Sequence, residues 1–232
     1  MKVFYLFVFL ISFTVTESQD LKGLMNTVIK SGLSTDEIGK GLKEALNAGV
    51  QKGTAQLAAT DGFFKNAAVK ILLPPEAVKA EKTLRDMGLG AEVDEAVLSM
   101  NRAAEDAAKS AAPIFVDAIK QMTIQDAAGI LKGGDSAATT YLRQKTNTSL
   151  TNAFNPIIKQ SLAKVDATQY WNTAFSAYNK VPFVKKVNTD LTAYVTEKAL
   201  AGIFYQVAQE EQKIRKNPAA QTTDLLKKVF GK

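Results

Sequence analysis

The sequence predicts an all-α fold, a multi-helix bundle around one long helix in the C-terminal half, with at most one short extended segment. Three observations support this. The chain is rich in Ala, Leu, Lys, Gln and Glu and has only six prolines in 232 residues, which favours helix. Helix-start signals recur along it. The segment Ala199–Tyr205, "ALAGIFY", is apolar on every side, as in a helix that other helices surround.

The first helix is placed by a capping box. Ser34 with Glu37 has the spacing in which each residue caps the other's backbone, and apolar residues then recur at helical intervals through residues 37–58. The stretch "TDGFFKN" at Thr60–Asn66 breaks this period. The sequence therefore predicts one long helix followed by an irregular segment.

A short extended segment and a second helix follow. Apolar residues alternate over 69–73, and the segment ends at Pro74-Pro75, which cannot lie inside a helix. Pro75 is suited to the first turn of a helix over 76–87, which Gly88 ends.

The longest helix is predicted over 190–216, capped by Asn188 or Thr189 and ended at Asn217-Pro218, and it forms the axis of the bundle. The other helices are predicted over 89–112 (ending near Pro113), over 114–122, from a Thr123–Asp126 capping box to Gly133, from a cap at Asp135 or Ser136 through 150, from Asn155-Pro156 onwards, over 166–180, and over 223–230.

The first 18 residues are predicted to be a signal peptide. Lys2 precedes the apolar run Val3–Val15, which has the length of a signal-peptide core and is too short for a bilayer span of roughly 20 residues. Cleavage is expected near Ser18, leaving residues 19–232 as a single helical domain that is periplasmic or secreted. The alternative is a buried strand at the N-terminus.

Missing residue types exclude several chemistries. The chain has no Cys and no His, so it cannot form the usual zinc sites, a Ser-His-Asp triad, disulfides or an N-terminal lipid anchor on cysteine. Phosphate-binding glycine motifs are also missing. No catalytic residue, metal or cofactor is predicted. The formal charge of +6 leaves an anionic surface open as a partner, while export makes nucleic acid an unexpected one.

One polar set interrupts the alanine-rich stretch "SMNRAAEDAAKSAA" at 99–112. Asn101 and Glu105 fall at the edge of its apolar face. Arg102 and Asp106, four residues apart, lie on the far side. In one interpretation Arg102 and Asp106 are solvated, while Asn101 and Glu105 bond to a loop or a neighbouring helix. In the other, Asn101, Arg102 and Glu105 line a cleft.

A second polar cluster lies in "FVDAIKQMT", where Asp117, Lys120, Gln121 and Thr123 form either a surface face or a binding face. Tyr205, like Tyr194, carries a hydroxyl that needs a partner if it is buried in the bundle. The candidate residues for binding a ligand or partner are therefore Asn101, Arg102, Glu105, Asp117, Lys120 and Tyr205.

Four blocks of the sequence together resemble a bacterial family known as domain of unknown function 4197. They are "TDGFFKNAAVKILLP" (60–74), "LSMNRAAEDAA" (98–108), "IFVDAIKQMTIQDAAGIL" (114–131) and "YVTEKALAGIFYQVAQEEQKIRKNPAAQTTDLLKKVFG" (194–231). The resemblance implies an exported, mainly helical bacterial protein and brings no activity and no catalytic residues. Some relatives look like lipoproteins, and the missing cysteine departs from that.

The expected function is that of a non-enzymatic binding or interaction module of the cell envelope, holding an apolar or amphipathic, lipid-like ligand between helices or presenting a face to an envelope protein. One alternative is a structural envelope protein without a ligand, which would show a filled core. The other is a carboxylate-based hydrolase, which would show two carboxyl groups about 5–9.5 Å apart in a cleft.

Overall fold

The structure is a computed structural model that describes residues 34–86, 88, 90–164, 171, 176, 179, 180, 183, 186, 190–217 and 227. The predicted signal peptide lies outside these residues, as do almost all of the helices predicted over 166–180 and 223–230. The α-helices are α1 (Thr35–Ala58), α2 (Val78–Asp86), α3 (Gly90–Ala108), α4 (Ala111–Lys120), α5 (Ile124–Lys132), α6 (Ala137–Ala163) and α7 (Leu191–Lys216), with a short 3₁₀ turn at Pro75–Ala77.

The predicted all-α class is confirmed, since the described residues form packed helices and contain no strand. Of the segment predicted to be extended, 69–73, Val69 lies in a turn and its N–H bonds to Asn66 O, and residues 70–73 form neither helix nor strand. Ile71 points into the core and Leu72 faces outward, which is the predicted alternation.

Helix α7 is the axis of the bundle, as the sequence predicts. It packs against α1, α3 and α6. In "ALAGIFY" most residues are buried, while Ala201 and Tyr205 face outward, so the segment is not enclosed on every side. Helices α1 and α6 are the other two long elements, and the apolar core runs without a break from α1 to α7.

The alanine face of α3 lets its neighbours approach closely. Ala103, Ala104, Ala107 and Ala108 are all buried in the core, and α3 packs against α1, α6 and α7. A face with such short side chains brings helix backbones near one another. The polar rim of this face then lies within hydrogen-bonding reach of the loop that follows α1.

Two predicted capping boxes and two glycine stops, at Gly88 and Gly133, are confirmed. Ser34 with Glu37 caps α1, and Thr123 with Asp126 caps α5. Gly88 has φ +85°, a left-handed conformation that glycine adopts without strain.

Three predicted helix boundaries are wrong. α3 ends at Ala108, and Pro113 lies in the first turn of α4, where no intrahelical partner for its missing N–H is needed. α6 continues through Pro156. Asn152, whose carbonyl loses its partner there, is solvent-exposed, so water can bond that oxygen. The cap of α7 is Asp190, which accepts a hydrogen bond from Ala193 N, rather than Asn188 or Thr189.

Candidate functional site

The loop between α1 and the 3₁₀ turn is held against α3 by Asn101. The Asn101 side chain is fully buried; its Oδ1 accepts from Ile71 N (2.8 Å), and its Nδ2 donates to Ile71 O (2.8 Å) and to Val97 O (2.7 Å). The amide thus pairs with both backbone groups of Ile71, as a neighbouring strand would. These bonds satisfy polar groups that burial would otherwise leave unpaired.

Glu105 holds the same loop one helical turn further on. Its Oε1 accepts from Phe63 N (3.1 Å) and Phe64 N (3.2 Å), and its Oε2 accepts from Arg102 Nη1 (2.6 Å). The carboxylate is almost fully buried, so its charge is balanced by Arg102 and by two backbone donors.

Arg102 links Glu105 to Asp61, whose Oδ1 lies 2.7 Å from Arg102 Nη2. The hydrogen bond to Glu105, followed in size of effect by the bond to Asp61, raises the pKa of the Arg102 guanidinium. The pKa of Asp61 is lowered by its bond to Lys65 and then by Arg102. Asp106, which was expected to be solvated together with Arg102, bonds to Lys109 and to Ser161.

The first three candidate residues therefore meet at the loop rather than at an open cleft. Asn101 and Glu105 make the loop contacts that one interpretation of the sequence expected. Arg102 remains partly exposed, at the edge of this cluster. These contacts account for the burial of Asn101 and Glu105 and for the position of Arg102 without a ligand.

A groove of about 390 Å³ opens on the surface between α4, the start of α5 and α6. Its volume lies in the range of about 300–1,000 Å³ that is typical of small-molecule sites. It is lined by Ile114, Asp117, Ala118, Gln121, Thr123, Asp126, Tyr141, Lys145, Thr146 and Ser149.

Asp126 lines the groove as an ionised carboxylate. Its Oδ2 accepts from Thr123 N (2.9 Å) and from Thr123 Oγ1 (2.8 Å). The Thr123 backbone amide, then the Thr123 hydroxyl and the nearby Lys145 hold the pKa of Asp126 below its usual value. Burial and the charge of Asp126 raise the pKa of Tyr141, so the phenol stays protonated at neutral pH.

Three other groups in the groove have polar atoms available. Lys145 lies over the Tyr141 ring, 5.6 Å from its centre, and forms no ion pair with a described carboxylate. The side chains of Gln121 and Ser149 make no hydrogen bond to any residue that the structure describes. A ligand in this groove therefore meets uncommitted donors from both α4 and α6.

The structure places Asp117 in this groove and Lys120 beside it. Lys120 Nζ lies 3.4 Å from Asp117 Oδ1, and both side chains are largely exposed. The same helix turns Phe115 and Ile119 into the core, which agrees with a polar outward face. Of the second predicted cluster, Asp117, Gln121 and Thr123 line the groove.

Tyr205 belongs to neither group. Its side chain is 43% exposed on the outer face of α7, so the expectation that it lies inside the bundle is wrong. The hydroxyl of Tyr194 instead donates to Leu72 O (2.7 Å), a third tie between the loop after α1 and the bundle.

The α6 side of the groove was not predicted. Tyr141, Lys145 and Ser149 recur every four residues, a spacing that places them on one face of α6. That spacing is visible in "YLRQKTNTS", but only the packing of α6 against α4 gives the face a partner.

Two tests on the described part of the chain are negative. No three acidic side chains there lie together as a metal site would require. None of the described helices combines the length and the apolar character of a bilayer span.

Comparison with known proteins gives a family and no closer relative. A family model with the description "Protein of unknown function (DUF4197)" matches residues 32–231. Neither the curated proteins nor the solved structures include a match.

Proposed function

The chain belongs to the DUF4197 family, and we propose that it is an exported, non-enzymatic binding protein whose groove between α4, α5 and α6 takes a small amphipathic molecule. The observation that carries this proposal is the groove itself. It offers an apolar side at Ile114 and Ala118, and uncommitted polar groups at Lys145, Gln121 and Ser149. Most of its lining residues are polar, and Ile114 and Ala118 supply the apolar part, so the groove suits an amphipathic molecule.

The state of Asp126 favours binding over hydrolysis. A carboxylate-based hydrolase needs one carboxyl group that stays protonated to act as an acid. The groove contains two carboxyl groups, Asp117 and Asp126, but Asp126 has a lowered pKa and is engaged in capping α5. Asp126 is therefore unsuited to act as the protonated acid of a hydrolase.

Export is proposed from the leader pattern alone. The run Val3–Val15 after Lys2 has the composition of a signal peptide, and the net charge stays at +6 when residues 1–18, with Lys2 and Glu17, are removed. The intact mass of the chain from fractionated host cells tests this. In the envelope or the medium, the mass of a chain that begins near Gln19 supports export. In the cytosol, the mass of the full-length chain overturns it.

Native mass spectrometry of the protein purified from its own host compartment tests the binding function. We expect a fraction of the chain to carry a small co-purifying mass. Ser149→Trp, which fills the groove from an exposed position, should abolish that adduct. Thr148→Trp is the matched control, because Thr148 is the exposed residue just before Ser149 on α6 and does not line the groove.

The outcomes separate the competing functions. Loss of the adduct in Ser149→Trp alone supports the groove. An adduct that survives in both variants places the ligand elsewhere. If the wild-type chain carries neither a small adduct nor a protein partner, the result favours a structural envelope protein instead.

A further inference from the structure

We propose that the groove takes an organic anion, and that Lys145 binds the carboxylate or phosphate group of this ligand. The inference rests on the proposed function and goes beyond it by naming the ligand class. It follows from the charges that line the groove and from the partners that each of them already has.

The two carboxylates of the groove are already matched. Asp117 lies beside the ammonium group of Lys120, at 3.4 Å. Asp126 accepts the backbone amide and the hydroxyl of Thr123, which fixes it as the cap of α5. A cationic ligand would compete with Lys120 for Asp117, and at Asp126 it would find only Oδ1, because Thr123 occupies Oδ2.

Lys145 is the cation that lines the groove, and its charge acts on Asp126 without forming a direct ion pair. Its ammonium group carries three donors, and no described carboxylate pairs with it. Its Nζ lies 5.6 Å from the centre of the Tyr141 ring, within the range of a cation–π contact. An incoming anion therefore gains a charge-assisted bond without breaking an existing ion pair.

Neutral donors lie around this cation. Ser149 follows Lys145 by one helical turn on the same face of α6, and Gln121 lines the groove from α4. A hydroxyl and an amide beside an ammonium group are suited to the two or three oxygens of a carboxylate or phosphate. Ile114 and Ala118 then offer an apolar wall to the rest of the molecule.

The size of the groove sets the scale of the ligand. About 390 Å³ accommodates a small aromatic or short aliphatic acid, and the surface position leaves one end of the molecule in solvent. The predicted apolar or lipid-like ligand is thereby narrowed to an amphipathic one with a negative head.

Ligand-observed NMR on the full purified chain tests the inference with four probes that share a phenyl ring: benzoate, phenyl phosphate, benzyl alcohol and benzylamine. We expect benzoate or phenyl phosphate to bind more tightly than the neutral alcohol and the cationic amine. Lys145→Gln should weaken the anion roughly tenfold by removing the charged partner. Lys159→Gln is the matched control, an exposed lysine on the same helix outside the groove.

Each outcome decides the matter. Anion binding that is lost in Lys145→Gln and in Ser149→Trp but kept in Lys159→Gln supports the inference, and the stronger of the two anions distinguishes a carboxylate from a phosphate. Equal binding of all four probes, blocked by Ser149→Trp and unaffected by Lys145→Gln, overturns the ligand class while keeping the groove as a site. No binding of any probe, with no adduct in the native mass, overturns both.

Discussion

Asn101 takes the place of a neighbouring strand for Ile71. A single side-chain amide satisfies both backbone groups of a buried residue in an irregular loop, so the segment needs no sheet. Glu105 does the same for two successive amides, at Phe63 and Phe64. The polar residues that interrupt the alanine stretch are therefore part of the structure of the loop.

Asn101→Ala should destabilise the protein by about 2–3 kcal/mol, because Ile71 N and Ile71 O would be left buried without partners. Urea unfolding followed by circular dichroism measures this. Asn152→Ala, at an exposed position of α6, is the control and should change stability by no more than about 0.5 kcal/mol. Equal effects of the two variants would show that the loop contacts contribute little.

Gly202→Ala should also destabilise the protein, although alanine is the better helix former by about 1 kcal/mol. A Cβ at this position would lie 2.6 Å from Phe63 Cε1 and 3.3 Å from Val69 Cβ, both in the packed core. Overpacking of this kind costs about 1–3 kcal/mol.

Gly129→Ala is the matched control for that substitution. Gly129 lies inside α5 with no atom within 4 Å of the added Cβ, so this variant should stabilise the protein by about 0.5–1 kcal/mol. Opposite signs in urea unfolding are expected for the two glycines. A stabilising Gly202→Ala would mean that Phe63 can move away from α7.

At the level of the helices, one buried carboxylate of α7 caps α6. Glu211 Oε1 accepts from Ala138 N (3.0 Å), and its Oε2 accepts from Thr139 N (2.8 Å) and Thr139 Oγ1 (2.7 Å). Arg215 bonds to the same carboxylate and to Ile130 O at the end of α5. Helix α7 therefore anchors both the end of α5 and the start of α6, two of the helices that line the groove.

Glu211→Ala should cost about 3–4 kcal/mol, because the first amides of α6 lose their acceptor and the largely buried Arg215 loses its carboxylate. Hydrogen exchange should speed up at Ala138 and Thr139 before it does elsewhere in α6. Glu197→Ala, at an exposed position of α7, should be near neutral. Unchanged protection at Ala138 and Thr139 would contradict the capping role.

For the whole molecule, the core is continuous from α1 to α7 and includes Trp171, the one tryptophan of the chain. The Trp171 ring is buried and stacks on Tyr194 with 6.4 Å between ring centres. A shared core of this kind couples the unfolding of its parts. It also gives a fluorescence signal that reports on the bundle.

Urea unfolding followed by tryptophan fluorescence and by far-UV circular dichroism should therefore give one coincident transition. This tests the predicted single helical domain over 19–232. A fluorescence transition at clearly lower urea would place Trp171 in a unit that unfolds separately. The comparison uses the wild-type chain, because a second tryptophan, as in Thr148→Trp, would add its own fluorescence signal.

The amino-acid sequence by itself determined the helices, their polar and apolar faces and several of their ends. The capping boxes at Ser34 and Thr123 act over three residues, and the buried face of α3 follows from its helical period. These interactions are local, so they are encoded within a few neighbouring positions. For the same reason Asp117 and Gln121 could be placed on one outward face before the fold was known.

Only the tertiary structure decided which helices meet. Glu211 caps a helix that begins more than 70 residues earlier, Arg102 pairs with Asp61 across a loop, and α6 runs on through Pro156. The groove has the same origin, because its α4 and α6 sides become a single site only when the two helices pack together. Contacts between distant segments depend on the shape and charge of both surfaces at once, and no short stretch of sequence contains both.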